Sequence, residues 1–135
     1  MLQIKNFSRK NLRTLILILP ILVSLTGCVY VVVGTVGALG GYIVSPDTVE
    51  GVASHEKVKV WDAAIEIASV MGWIENQNEV NSVIKAKING ARVTITITSI
   101  NDSTTKVTVK SRKVFLPKVS LAQDVFVKIM SRLKQ

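Results

Sequence analysis

The sequence predicts an α+β domain over residues 45–135, in which an antiparallel sheet of four to five strands carries two helices on one face. Three observations predict this class. Residues 54–72 place apolar side chains at helical spacing, residues 82–113 alternate apolar and polar side chains around two turns, and residues 119–133 return to helical spacing. An apolar N-terminal segment precedes this domain, so the chain divides into two unlike parts.

The first elements of the domain have clear boundary signals. Ser45-Pro46-Asp47 indicates a turn, and Thr48 to Ala53 is suited to a short strand. We expect a helix capped by Ser54, with Glu56 in its first turn and Gly72 as its C-terminal cap. Its apolar stripe consists of Val58, Trp61, Ala64, Ile65, Ile67, Ala68 and Met71.

The sheet is predicted from the Asn89-Gly90 pair, the strongest short-range signal for a β-hairpin. Trp73 to Gln77 is predicted as a weak strand that precedes this hairpin. The two-residue loop at Asn89-Gly90 sets the register of the strands on either side of it. The predicted partners are Ile88 with Ala91, Ala86 with Val93, Ile84 with Ile95, and Ser82 with Ile97. A turn at 101–103 then places Val107 opposite Ile97 and Val109 opposite Ile95, so one face is apolar across three strands.

The second helix is predicted after Pro117, and the sheet offers the apolar surface that it must cover. Its stripe is Val119, Ala122, Val125, Phe126, Ile129 and Leu133. We interpret both tryptophans, Trp61 and Trp73, as core anchors.

The N-terminal segment has the order of a secretory signal. A basic start is followed by an apolar run from Leu15 to Leu25, which as a helix spans only roughly 16 Å and cannot cross a hydrocarbon core of about 30 Å. Leu25-Thr26-Gly27-Cys28 then resembles the lipobox of bacterial lipoproteins. The resemblance implies a signal peptide at 1–27, cleavage between Gly27 and Cys28, and covalent lipid such as palmitate on Cys28.

Residues 28–44 continue as an apolar, glycine-rich stretch that we interpret as a tether next to the lipid. An uncleaved membrane helix is the alternative, because residues 15–44 contain no charge; glycines at three-residue spacing would then favour helix–helix contact. The residue after Cys28 is Val29 and not Asp, which by resemblance to Gram-negative sorting favours the outer membrane, facing the periplasm.

The charge and the single cysteine exclude several classes of protein. The net charge is +8, but Lys5, Arg9, Lys10 and Arg13 belong to the leader; without them 13 basic and 9 acidic residues leave +4. This balance does not predict nucleic-acid binding. One cysteine allows neither an internal disulfide nor a cysteine-based metal site.

The search for catalytic residues gives a negative prediction. His55 is the only histidine and is expected at the surface, while Asp62 and Glu66 are expected on a solvated helix face. Residues 34–41 lack the Lys-Ser/Thr ending of a phosphate loop. We therefore predict no enzyme, no metal and no cofactor apart from the covalent lipid.

One surface of the predicted sheet carries a basic pattern. The register turns its cations to the face opposite the apolar one: Lys85, Lys87, Arg92, Lys106, Lys110 and Arg112. No acidic residue of these three strands joins them, and like charges opposite one another are mildly destabilising. An anionic partner, either an envelope component or a protein, explains this cost. The alternative is that Lys and Thr keep an open sheet soluble.

The layout is similar to the helix-grip type of domain. The whole chain resembles a family of small, uncharacterised bacterial lipoproteins of unknown function, on its lipobox, the glycines at 34–41, Gly51, Trp61, Gly72 and the Asn89-Gly90 hairpin. The resemblance implies a lipid-anchored envelope protein without an assigned activity. We expect an accessory or scaffold that uses the basic face; the alternative is a module that binds a small apolar ligand between helices and sheet.

Overall fold

The computed structural model describes residues 40–135, which form one antiparallel sheet and two helices. The α+β class predicted from the sequence is confirmed. The strands are β1 (Gly41–Ser45), β2 (Thr48–Ala53), β3 (Trp73–Asn78), β4 (Val83–Ile88), β5 (Ala91–Asn101), β6 (Thr104–Lys113) and β7 (Leu116–Pro117). The helices are α1 (Lys57–Met71) and α2 (Val119–Leu133).

The sheet is a meander that is extended by the N-terminal hairpin. Its strand order is β1-β2-β6-β5-β4-β3, with β7 paired to β6 beside this path. Strands β3 to β6 follow one another through tight turns, whereas β2 pairs with β6 from the other side. Long strands β5 and β6 therefore form the centre of the sheet, and β1 and β3 form its edges.

The hairpin register predicted at Asn89-Gly90 is confirmed. Asn89 and Gly90 both have positive φ, at 51° and 75°, as a two-residue turn of this handedness requires. Ile88 pairs with Ala91 and Ile84 with Ile95. The predicted register of the next hairpin, Ile97 with Val107 and Ile95 with Val109, is also found. The apolar residues of three strands consequently share one face.

The core lies between this inner face and the two helices. Its largest fully buried side chains come from α2 (Phe126 and Ile129) and from the strands (Ile84, Ile88 and Ile95). Packing is close where β2 meets α2: a side chain at Gly51 would overlap the ring of Phe126. At this point the space between helix and sheet is filled by the protein's own side chains.

Two details of α1 differ from the prediction. The helix begins at Lys57 with Glu56 as its N-cap residue and no side-chain cap hydrogen bond, so Ser54 is not the cap. The start of the stripe was also wrong: Val60 is fully buried and Val58 is 67% exposed. The alternation of Val and Lys at 57–60 left the helix phase ambiguous. Gly72 does end the helix, and its N–H donates to Ala68 O at 3.1 Å.

The number of strands is larger than the four to five predicted. The additional strands are β1 and β7. Strand β1 lies in the range that the sequence analysis assigned to the tether, so the folded part begins at least as early as Gly41. Its apolar run gave no alternation of apolar and polar residues to recognise. In the structure Gly41 pairs with Gly51, and the two backbones approach closely there.

Candidate functional site

The six cations predicted on one side of the sheet do lie on the face opposite the helices, called the outer face below. Their inner-facing neighbours along the strands, such as Ala86, Val93 and Val109, are fully buried. The outer-face cations alternate with threonines and come from β4, β5 and β6: Lys85, Lys87, Arg92, Lys106, Lys110 and Arg112. The six cations therefore share one face of the sheet, as the predicted register places them.

One row of this face crosses four strands and concentrates the charge. Lys87 pairs with Arg92, and Arg92 pairs with Arg112. On the other side, Lys87 pairs with Trp73 of β3. Side chains directly opposite one another in a sheet lie about 5 Å apart, so this row brings three cations and one indole together.

Carboxylates from outside the three strands reach this face, which sequence reasoning missed. Asp47, in the turn between β1 and β2, has a side chain only 5% exposed. Its Oδ1 accepts hydrogen bonds from Ser45 Oγ and Thr48 Oγ1, each at 2.7 Å. Its Oδ2 accepts from Arg112 Nε, and Lys110 Nζ lies 3.7 Å away. Asp47 is thus a buried acceptor that binds β1, β2 and β6 together.

The environment of Asp47 lowers the pKa of its carboxyl group well below the usual range. The hydroxyls of Ser45 and Thr48 are the largest causes, followed by the hydrogen bond from Arg112; burial acts in the opposite direction and is outweighed. Asp47 is therefore ionised at neutral pH. Its charge compensates part of the positive charge of Lys110 and Arg112.

Glu50 also compensates a cation of β6, but its interaction is weaker than that of Asp47. It extends from β2, and its Oε2 lies 4.0 Å from Lys106 Nζ, while its Oε1 accepts a hydrogen bond from Thr108 Oγ1 at 3.1 Å. Its side chain is 20% exposed, which leaves the pair partly screened by water. We call the β2–β6 side, with Asp47, Glu50, Lys106, Lys110 and Arg112, the paired half.

The other side of the face has no such compensation. Within residues 40–135, no carboxylate lies within 4.0 Å of the amino or guanidinium groups of Lys85, Lys87 or Arg92. All three side chains are exposed. We call these three residues the open half.

The two halves meet in a shallow depression of about 450 Å³ on the outer face. Its walls include Lys87, Arg92, Lys110 and Arg112, and Glu75 contributes one carboxylate at the side of β3. Val114 closes the depression at the end of β6. Four cations around one concave surface favour an anionic group.

An exposed apolar rim borders this depression, and Trp73 belongs to it. Trp61 is in the core, with 8% exposure, but Trp73 is 74% exposed, so its prediction as a core anchor was wrong. Val114, Phe115 and Leu116, in and after the turn that joins β6 to β7, are 80%, 89% and 66% exposed. We call Trp73 and residues 114–116 the apolar rim.

The remaining polar residues singled out from the sequence lie elsewhere. His55 is half-buried, and its backbone oxygen accepts a hydrogen bond from Thr105 Oγ1 at 2.8 Å. Glu66 accepts a hydrogen bond from Arg132 Nε at 2.8 Å, which connects α1 to α2. Because Glu66 pairs with a cation of the other helix, this carboxylate is explained by a structural role.

The predicted lipidation site falls outside the described residues. Gly27, Cys28, the signal peptide at 1–27 and residues 28–39 of the tether all precede Gly40, where the description of the structure begins. Among residues 40–135, no helix is both long enough and apolar enough to cross a membrane.

No model of a protein family matches the chain, and no curated protein sequence matches it. The resemblance to small bacterial lipoproteins therefore stays a prediction.

Proposed function

We propose that this chain is a lipid-anchored protein of the bacterial cell envelope, without catalytic activity, whose folded domain binds an anionic partner through the outer face of its sheet. The anchor is the lipid on Cys28 that the lipobox implies. If the organism has an outer membrane, Val29 favours that membrane, with the domain in the periplasm. The protein then acts as an accessory or scaffold.

The observation that supports the binding part of this proposal is the open half. Lys85, Lys87 and Arg92 stand on a surface whose register is fixed by the hairpin, and no carboxylate of residues 40–135 lies within 4.0 Å of their charged groups. A cation with an internal partner can be explained by stability. These three cations have no such explanation, and their spacing suits a ligand with distributed negative charge.

Metabolic labelling with palmitate tests the anchor. Wild type should incorporate label, lose its first 27 residues and fractionate with membranes, whereas Cys28→Ala should take up no label and keep its leader. Ser24→Ala, in the same segment, is the matched control and should behave as wild type. Unlabelled wild type that still fractionates with membranes would instead favour a membrane-embedded segment at residues 15–44.

Ion-exchange retention tests the outer face. The full chain in detergent should leave a cation-exchange matrix at much lower salt when Lys85, Lys87 and Arg92 are all changed to Glu. The control changes Lys57, Lys59 and Lys134, three cations of the helical layer, to Glu and alters the net charge equally. Equal shifts for both variants would mean that the outer face has no special affinity for anions.

A further inference from the structure

We infer that the apolar rim and the adjoining cations form a docking surface for an anionic phospholipid bilayer. This inference rests on the proposed function, because it names the partner of the same basic face. In it, Lys87 and Arg92 contact lipid phosphates while Trp73 and Phe115 enter the interfacial layer. The domain is then held on the membrane by two contacts, the lipid on Cys28 and this surface.

Charged and apolar side chains are arranged along one row of the outer face. Trp73, Lys87, Arg92 and Arg112 are successive partners across four strands. At a strand spacing of about 4.8 Å, the row measures roughly 15 Å. Residues 114–116 follow Arg112 at the end of β6, where Arg112 pairs with Pro117. Trp73 therefore stands at one end of a short row of cations, and the turn that carries Val114 and Phe115 adjoins the other end.

Two large apolar side chains next to these cations are exposed to solvent. Phe115 is 89% and Trp73 is 74% exposed, although the same domain buries Phe126 completely and Trp61 almost completely. Large exposed apolar side chains that flank a charged surface indicate an interaction site. Tryptophan, with an apolar ring and a polar N–H, suits the boundary of water and lipid. Cations beside such residues add attraction to anionic headgroups.

The chain's own N-terminal segment does not suit this surface as an occupant. The N-terminal segment of the same chain has no acidic residue before Asp47, so it offers no charge that would complement Lys87 and Arg92. The length of chain between Cys28 and the domain sets the distance over which a lipid on Cys28 could hold the domain. Cys28 and Gly41 are 13 residues apart, which permits a separation of up to about 45 Å. Tethering near the bilayer raises the effective concentration of a weak second contact.

Fluorescence of Trp73 tests the inference in the full chain. The chain has two tryptophans, so Trp61→Phe leaves Trp73 as the only reporter. The lipidated protein is reconstituted into vesicles of phosphatidylcholine alone or of phosphatidylcholine mixed with phosphatidylglycerol. Emission wavelength and quenching by brominated lipid are then measured, with circular dichroism as the check that each variant is folded.

We expect Trp73 emission to shift to shorter wavelength, with quenching by brominated lipid, only in the vesicles that contain phosphatidylglycerol. Lys87→Glu with Arg92→Glu should weaken this docking equilibrium by about tenfold or more, since each surface cation contributes on the order of 1 kcal/mol of attraction. Phe115→Ser should also reduce it. The matched controls are Lys57→Glu with Lys59→Glu, and Val58→Ser, all on α1, which should leave docking unchanged.

Three outcomes would overturn the inference, and each is distinct from failure of the anchor. The chain can stay with the vesicles while Trp73 emits as in water. Trp73 can be quenched equally without phosphatidylglycerol, which removes the cations from the explanation. The shift can depend on protein concentration and not on lipid, which indicates contact between two copies. Failure of the anchor itself is recognised differently, because the chain then leaves the vesicles in flotation.

Discussion

The paired and open halves of the outer face share one sequence pattern and differ in what their cations contact. In the paired half, Asp47 and Glu50 compensate Lys106, Lys110 and Arg112. In the open half, Lys85, Lys87 and Arg92 have no carboxylate within 4.0 Å among residues 40–135. The same pattern of alternating Lys and Thr can therefore have two uses on one face of a sheet. In the paired half its cations stabilise the fold, and in the open half they are available to a partner.

The largest effect should come from removing the centre of the paired half. Asp47→Ala takes away an acceptor of three hydrogen bonds and leaves Ser45, Thr48 and Arg112 without it. We expect the free energy of unfolding to fall by about 2–3 kcal/mol. Denaturant unfolding of a fragment spanning residues 40–135, which contains every core residue described, measures it.

Glu50→Ala is the matched control for Asp47→Ala, since Glu50 also faces a cation of β6. Its longer ion pair and greater exposure predict a loss below about 1 kcal/mol. If the two variants lose equal stability, Asp47 is no more than a surface charge, and the contrast between buried and screened pairs disappears.

Acid should weaken the paired half through Asp47. Because folding lowers the pKa of this carboxyl group, the folded state holds its proton less tightly than the unfolded chain does. The stabilisation is complete above the unfolded pKa of about 4 and is lost as the pH falls from there toward the lower folded pKa. The stability difference between wild type and Asp47→Ala should stay constant between about pH 5 and 7 and shrink below about pH 4.

A difference between wild type and Asp47→Ala that does not change with pH would contradict the assignment of the stabilisation to the ionised form of Asp47.

The sequence predicted the parts of this face that depend on local pairing. The Asn89-Gly90 turn fixes the register of β4 and β5, and the alternation of apolar residues carries it to β6, so the six cations could be assigned to one face. Asp47 and Glu50 were missed because the pairing of β2 with β6 joins residues about 60 positions apart. No turn length specifies that pairing.

Trp73 was misplaced for a related reason. Its position after Gly72 and its size favour burial, but the register of β3 against β4 turns it to the outer face beside Lys87. A β-bulge between Ile74 and Asn76 then changes which residues of β3 face the core. A bulge moves the alternation by one residue and leaves no clear mark in a strand as polar as Trp73–Asn78. Neither the exposure of Trp73 nor the apolar rim could therefore be read from the sequence.

The inner face of β6 carries two buried hydroxyl groups that differ in their hydrogen bonding. Ser111 and Thr105 are both fully buried, but Thr105 Oγ1 donates to His55 O, whereas Ser111 Oγ has no hydrogen-bond partner among the described residues. Ser111→Ala should raise the free energy of unfolding by about 1 kcal/mol, since it removes a desolvated hydroxyl. Thr105→Val, the control, should lower it by about the same amount. Denaturant unfolding that shows both variants destabilised would mean that Ser111 has a partner after all.

The smallest expected effect is a change in the free energy of unfolding caused by substitutions in the open half. Lys87 lies directly opposite Arg92, while Lys85 lies opposite Thr94. Lys87→Thr removes a like-charge pair and should raise the free energy of unfolding by about 0.5 kcal/mol. Lys85→Thr removes an equal charge without such a pair and should leave stability nearly unchanged. Thermal unfolding of both variants at low salt, where repulsion is least screened, resolves the difference.

The two lysine variants become most informative when unfolding is compared with docking on phosphatidylglycerol vesicles. If the open half serves a partner, Lys87→Thr stabilises the domain and weakens docking, so the two properties change in opposite directions. If lysine at 87 only keeps the sheet soluble, the variant gains stability and docks as before. A binding residue at position 87 would keep its repulsion with Arg92 because the charge is needed at an anionic surface. A solubilising residue would have no such need for that charge.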